Sequence, residues 1–136
     1  MPDPESFIDT NILIYLLSED TDKTHRAEEI VRAGGRISVQ VLNELANVAR
    51  RKLAMPWKEI EELLDLIQAV CTIDSLTVEI HERGMAVAEQ YNLSFYDSLI
   101  VAAALLGKCN ILYSEDMQDG LLIDQRLRIY NPFLRP

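Results

Sequence analysis

The chain has 136 residues, 49% of them apolar, and its 13 Lys and Arg stand against 22 Asp and Glu for a net charge of −9. One domain spanning 1–136 is expected from the length, and the apolar share supports a packed core, which excludes a disordered chain. The longest apolar run, residues 99–106, falls far short of the roughly 20 residues of a membrane span, and such an acidic balance opposes general polyanion binding.

Short apolar runs alternate with longer helical patterns along the chain. Residues 6–8 predict a first strand ending at Asp9, followed by a short helix over 11–17 and another over 24–33, stopped by Gly34 and Gly35. Residues 36–39 predict the second strand. Val41, Leu45, Val48 and Leu53 then mark a long helix, and Pro56 opens the next, with Ile60, Leu63, Leu64 and Ile67 at helical spacing. A brief strand at 71–73, a helix over 78–91 and an apolar helix from Ser94 to Gly107 follow, then strands at 111–114 and 127–130. Strands separated by helices require crossovers, so the expected fold is a three-layer α/β/α domain with a small, mainly parallel central sheet.

Open parallel sheets bind ligands at the carboxyl ends of their strands. Here the first strand ends in Asp9-Thr10-Asn11, and the strand ending at Ser114 runs on to Glu115 and Asp116. If extended geometry persists, Ser114 and Asp116 share a face and Glu115 turns away. Glu44 lies three residues after Val41 and four before Val48, so it interrupts an apolar stripe. Asp97, with Leu93 before it and Ile100 and Val101 after it, faces the core or a cleft in it. Each acid also has a plain structural reading. Asp9 can cap a helix, Asp97 fits a capping box with Ser94, Asp116 can start a turn, and Glu44 can pair with a buried arginine. Together these readings explain less. Brought to ~5 Å at an effective dielectric of ~20, each pair of acids repels by about 3 kcal/mol, and a domain stable by roughly 5–15 kcal/mol needs protons or cations to relieve the sum. Oxygen-only donors select Mg²⁺ or Mn²⁺ over Zn²⁺. His25 and His81 have no ligand-spaced partner, and Cys71 and Cys109 make neither a disulfide framework nor a thiolate zinc site.

Four stretches carry a family resemblance. Phe7-Ile8-Asp9-Thr10-Asn11-Ile12-Leu13, Asn43-Glu44, Tyr96-Asp97-Ser98-Leu99-Ile100-Val101-Ala102-Ala103 and Tyr113-Ser114-Glu115-Asp116-Met117 resemble, in order and spacing, the acidic motifs of PIN-domain nucleases. The likeness is nearest to the VapC-type ribonuclease toxins of toxin–antitoxin pairs. It implies that Asp9, Glu44, Asp97 and Asp116 form a metal-binding catalytic cluster with Asn11 and Ser114 as polar auxiliaries, while Asp119 before Gly120 reads as a turn residue. It implies an Mg²⁺- or Mn²⁺-dependent endoribonuclease making 5′-phosphate and 3′-hydroxyl ends. Asp9 and Asp97 would be the principal ligands, Glu44 and Asp116 would hold ion-bound waters or a second ion, and Glu44 would accept the proton of the attacking water. It further implies an RNA substrate, an antitoxin partner and a homodimer.

Phosphate contacts come mainly from Lys and Arg. The one dense basic run is Arg50-Arg51-Lys52, with Arg51 seven residues after Glu44 on the same helix face, although a basic helix end also complements the macrodipole. Met55 and Trp57, at a helix–helix turn, are residue types favoured as interface anchors. The expected location is cytoplasmic, with no membrane association, because no basic n-region and apolar h-region open the sequence. Rival readings are a non-catalytic PIN-like scaffold and a receiver-type Mg²⁺-binding regulatory module. The second wants paired acids after strand one and a lysine after a late strand, and neither is present. A dehalogenase-type phosphatase needs Asp-x-Asp, and Asn11 occupies the second acid's position.

Overall fold

The computed structural model describes residues 5–134. Six strands form one sheet in the order β3-β2-β1-β4-β6-β5. They are β1 (Ser6–Ile8), β2 (Arg36–Ser38), β3 (Thr72–Asp74), β4 (Ile111–Tyr113), β5 (Leu122–Ile123) and β6 (Leu127–Tyr130). All pairings are parallel except β5 with β6. From β1 the chain builds outward through β2 to β3, then returns to β1's other side with β4. The order therefore reverses between β1 and β4, where an α/β sheet opens a crevice beyond its strand ends.

The helices are α1 (Thr10–Ile14), α2 (Thr21–Arg32), α3 (Val39–Arg51), α4 (Trp57–Val70), α5 (Val78–Tyr91) and α6 (Phe95–Leu106). Contacts join α1, α2, α3 and α4 into one group and α5 with α6 into another, flanking the sheet, and α3 also touches α6. Phe7 and Ile8 of β1 and Leu112 of β4 are fully buried, and α6 is buried continuously from Ile100 to Leu105. A helix that is apolar all round belongs between layers, and α6 takes that place.

Several boundaries differ from the sequence expectation for identifiable reasons. The first helix runs only to Ile14 and tightens into a 3₁₀ turn over Tyr15–Leu17. The second begins at Thr21 rather than 24, because the Asp20 side chain caps it by accepting the Lys23 N–H. Val39 already belongs to α3, which stops at Arg51. The third strand runs one residue later than expected, over Thr72–Asp74, and β4 ends at Tyr113. The antiparallel β5 is absent from the sequence expectation. It is two residues long, and its hairpin to β6 turns on Asp124 and Gln125, both at positive φ (50° and 56°). Such turns favour Asn-Gly or Asp-Gly, and Asp-Gln does not announce one.

The α5–α6 contact is close at Gly84, where an added Cβ would lie 2.8 Å from Leu99 Cδ2 and 3.5 Å from Leu99 Cα. Gly84→Val is expected to destabilise the fold by about 1–3 kcal/mol, read as a lower urea midpoint at unchanged slope. An unchanged midpoint would show that this packing is slack.

Candidate functional site: a carboxylate cluster at the sheet's switch point

Asp9 directly follows β1, and its N–H donates to Tyr113 O at 3.0 Å, which seats it between the ends of β1 and β4. Its carboxylate is buried and accepts three hydrogen bonds from local donors. Oδ1 accepts the Thr10 N–H at 2.7 Å, while Oδ2 accepts Ser114 Oγ–H at 2.8 Å and the Asn11 side-chain amide at 3.2 Å. Asp9 is also the N-cap of α1, so its structural and site readings hold together. Three hydrogen bonds leave a carboxylate further lone-pair capacity, since it offers about four acceptor directions.

The other acids approach from separate elements. Glu44 comes from α3, whose buried stripe is Val41, Leu45 and Ala49; it stands half-buried beside that stripe and accepts Thr10 Oγ1–H at 3.4 Å. Asp97 stands half-buried in the first turn of α6, where Ser94 Oγ accepts the Asp97 N–H at 3.2 Å. Asp116 is exposed, on the bend after β4. The cluster thus grades from a buried floor at Asp9 to an open rim at Asp116.

Electrostatics ties the acids together. Burial pushes the Asp9 carboxyl up to about 7, and the Asp97 and Glu44 charges add to the rise against the hydrogen bonds from Ser114 and Thr10. Glu44 is raised first by burial, then by Asp97 and Asp116, while hydrogen bonds with Gln40 and Thr10 pull it down. Asp97 is raised by burial and by Asp116, against its bond with Ser94. No ion pair among the described residues involves any of these acids, so the arginine partner considered for Glu44 is not found. Among the described residues no three His, Cys, Asp or Glu side chains stand as a ready-made ion cage either. The carboxylates meet in one field yet hold apart, which is the arrangement mutual repulsion dictates. The donor set is oxygen throughout, and so it fits a hard dication such as Mg²⁺ or Mn²⁺ and not Zn²⁺.

Asn11 and Ser114, expected as polar auxiliaries, both bond Asp9, whereas sequence reasoning missed Thr10 and the contacts that hold Glu115. Thr10 joins Asp9 to Glu44 through its N–H and its hydroxyl. Asn11 works from both ends: its amide donates to Asp9, and its Oδ1 accepts the Glu115 N–H at 3.1 Å. Glu115 turns away from the cluster, as expected, into a strut in which Lys23 Nζ reaches its Oε2 at 2.9 Å and Tyr15 Oη donates to its Oε1 at 2.6 Å. Both groups titrate higher for it, Tyr15 chiefly through the bond to Glu115 and Lys23 through those to Tyr15 and Glu115. The Lys23 ammonium also sits 4.6 Å above the Tyr15 ring centre. No local sequence signal joins positions 15, 23 and 115. Asp119 accepts the Asn131 N–H at 2.8 Å, in keeping with a structural role.

The basic run lies at the far end of α3. Arg50 serves the turn into α4, donating to Met55 O at 3.0 Å with its guanidinium 5.1 Å from the Trp57 ring centre; Arg51 and Lys52 are exposed. Cys71 and Cys109 are buried and form no disulfide, and burial pushes both thiols up to about 11.

Comparison with known proteins matches a PIN domain family model to residues 6–118. No curated protein matches the chain. Among solved structures, a toxin–antitoxin complex from Klebsiella pneumoniae is similar at TM-score 0.70 and 24% identity, over 93% of this chain and 97% of that one. The Mycobacterium tuberculosis toxin VapC20, described as cleaving the sarcin–ricin loop, gives TM-score 0.67 at 16% identity, over 82% and 89%. VapBC2 of Rickettsia felis, bound to a DNA fragment from its promoter, gives 0.67 at 20%, over 93% and 97%. At these identities the likeness is one of fold.

The Asp9 titration has a defined sign. A carboxyl raised from 3.8 to about 7 on folding costs stability progressively as pH rises between those values, on the order of 4 kcal/mol in full above pH 7. Asn at position 9 removes that charge but turns an amide N–H₂ toward the Asn11 amide, which returns part of the gain. In EDTA, Asp9→Asn is therefore expected to melt several degrees higher than the unmodified protein at pH 8 and to lose that advantage at pH 4, measured by thermal denaturation. Equal melting at both pH values would contradict the buried-charge assignment.

Proposed function

This chain belongs to the PIN domain family, and we propose that it is a divalent-cation-dependent endoribonuclease acting as the toxin of a toxin–antitoxin pair. The observation that carries the reading is the meeting of Asp9, Glu44, Asp97 and Asp116 in one field at the sheet's switch point, with no basic partner on any of them among the described residues. The likeness in fold to VapC20, a toxin that cleaves the sarcin–ricin loop, is further support for an RNA substrate.

In this reading Asp9 and Asp97 are the principal ligands of Mg²⁺ or Mn²⁺, with Glu44 and Asp116 toward the rim. When bound, the cation supplies positive charge against an anionic phosphodiester and acidifies water at neutral pH. The chain's own residues do the rest. Ser114, Thr10 and Asn11 fix the orientation of the Asp9 carboxylate. Glu44, whose carboxyl burial raises from its ordinary value, would accept the proton of the attacking water, since a general base works best as its pKa nears the working pH. In-line displacement then leaves a 5′-phosphate and a 3′-hydroxyl.

We take the functional unit to be a single domain of residues 1–136, working in the cytoplasm as a homodimer; no helix among the described residues is long and apolar enough to cross a membrane. An antitoxin partner is supported by the toxin–antitoxin likenesses in fold. It is also supported by a mainly apolar groove of about 230 Å³ between α2 and α4, where Leu16, Val31, Leu66 and Val70 line it alongside Glu28 and Arg32. Leu66 and, beyond the groove, Trp57 stand exposed, as interface anchors do before a partner covers them.

Incubation of total cellular RNA with the purified protein is expected to give discrete cuts with Mg²⁺ or Mn²⁺ and none with EDTA. Asp9→Asn and Asp97→Asn should each lower the rate by at least about 100-fold while remaining folded by circular dichroism. Cleavage that persists in both variants, or in EDTA, would overturn the assignment.

A further inference from the structure

The carboxylate cluster has an aromatic neighbour that the chemistry above does not use. Ser94 caps α6 and fixes its first turn, placing Phe95, Tyr96 and Asp97 in succession. Tyr96 immediately precedes Asp97 in that turn, its side chain diverging from that of Asp97 by the roughly 100° between successive helical residues. Tyr96 is 63% exposed and Phe95 39%. Their rings meet edge to face with centroids 5.8 Å apart at 68°, and His81 of α5 backs Phe95 in the same manner at 5.7 Å and 74°. An edge-to-face contact steadies the Tyr96 ring without covering both of its faces. Folding does not explain this placement, because a ring so exposed contributes little to the core.

The charge balance says what such a ring could supply. The protein carries −9, and four of its basic side chains, Lys23, Arg32, Arg36 and Arg83, are each tied to a carboxylate. Affinity for a polyanion normally rests on Lys and Arg contacts to phosphates. Acids outnumber bases in this chain, 22 to 13, and base–aromatic stacking is a sequence-tolerant source of affinity that does not depend on charge.

We propose that Tyr96, steadied by Phe95, is the stacking platform for the unpaired base next to the scissile phosphate. The inference rests on the nuclease reading and adds a binding residue to it. It requires the target nucleotides to be unpaired, since a base in a duplex offers no free face. It also makes part of the affinity insensitive to salt.

The test uses a short unstructured oligoribonucleotide spanning a cut mapped on total RNA, with Mn²⁺ and enzyme in excess. Tyr96→Ala should raise the half-saturating concentration about tenfold with little change in the maximal rate, and by the same factor at low and high salt. Tyr96→Trp should restore binding, and Tyr96→Leu should not. An abasic nucleotide beside the cut should weaken binding of the unmodified protein by a similar factor and add nothing to Tyr96→Ala. The proposal is overturned if the two losses multiply, or if Leu serves as well as Trp. It is equally overturned if Tyr96→Ala changes the sedimentation coefficient and Leu restores it, which would make the patch an interface between protein chains. These outcomes leave the nuclease reading standing. Absence of cleavage by the unmodified protein overturns that reading, and this inference with it.

Discussion

Like charges held at the end of a parallel sheet are the constraint on which this molecule turns. A carboxylate as buried as Asp9 carries a desolvation cost that ordinary proteins avoid or cancel with a cation. Here the described residues offer hydrogen-bond donors and no ammonium or guanidinium: Thr10 N–H, Ser114 Oγ–H and the Asn11 amide converge on its two oxygens. They orient the charge without neutralising it, and a pKa of about 7 is the physical result. At neutral pH the group is divided between its two protonation states, and in the proposed reading a metal ion would take the place of the proton.

The remainder of the architecture keeps that arrangement from relaxing. If the acids sat on one flexible loop they would swing away from one another. They arrive instead at the end of β1, on α3, on α6 and on the bend after β4, so the backbones that carry them are held by separate elements of the fold. The bend is braced from outside. The Asn11 Oδ1 bond to the Glu115 N–H and the Lys23–Glu115–Tyr15 strut tie the segment after β4 to α1, the 3₁₀ turn and α2. Basic side chains are thus spent on the scaffold. Lys23 holds Glu115, Arg36 holds Asp74, and Arg50 closes the turn at Met55.

Much of the site is legible in the sequence because its signals are local. Asp9 and Ser114 stand immediately after apolar strand runs, and Glu44 and Asp97 break helical stripes, so each is anomalous among its own neighbours. The fold class follows equally from helices spaced between short strands. What the sequence leaves out depends on long-range pairing. The reversal of strand order between β1 and β4, which turns four separate anomalies into one crevice, has no local signature. Neither has the strut joining positions 15, 23 and 115. The Asp124-Gln125 turn is hidden because its positive φ angles are imposed by the pairing of β5 with β6 and not by glycine or asparagine. Thr10 stands within the first motif, but its bridge to Glu44 needs α3 laid against α1, and only the packed structure supplies that.

Calorimetric titration with Mn²⁺ at pH 7, run in two buffers of different protonation enthalpy, tests the central claim most directly. Saturable binding accompanied by proton release is expected, together with a loss of at least about tenfold in affinity for Asp9→Asn. Binding that releases no proton and is equally tight in Asp9→Asn and Asp97→Asn would contradict the idea that a cation takes the place of protons among these carboxylates.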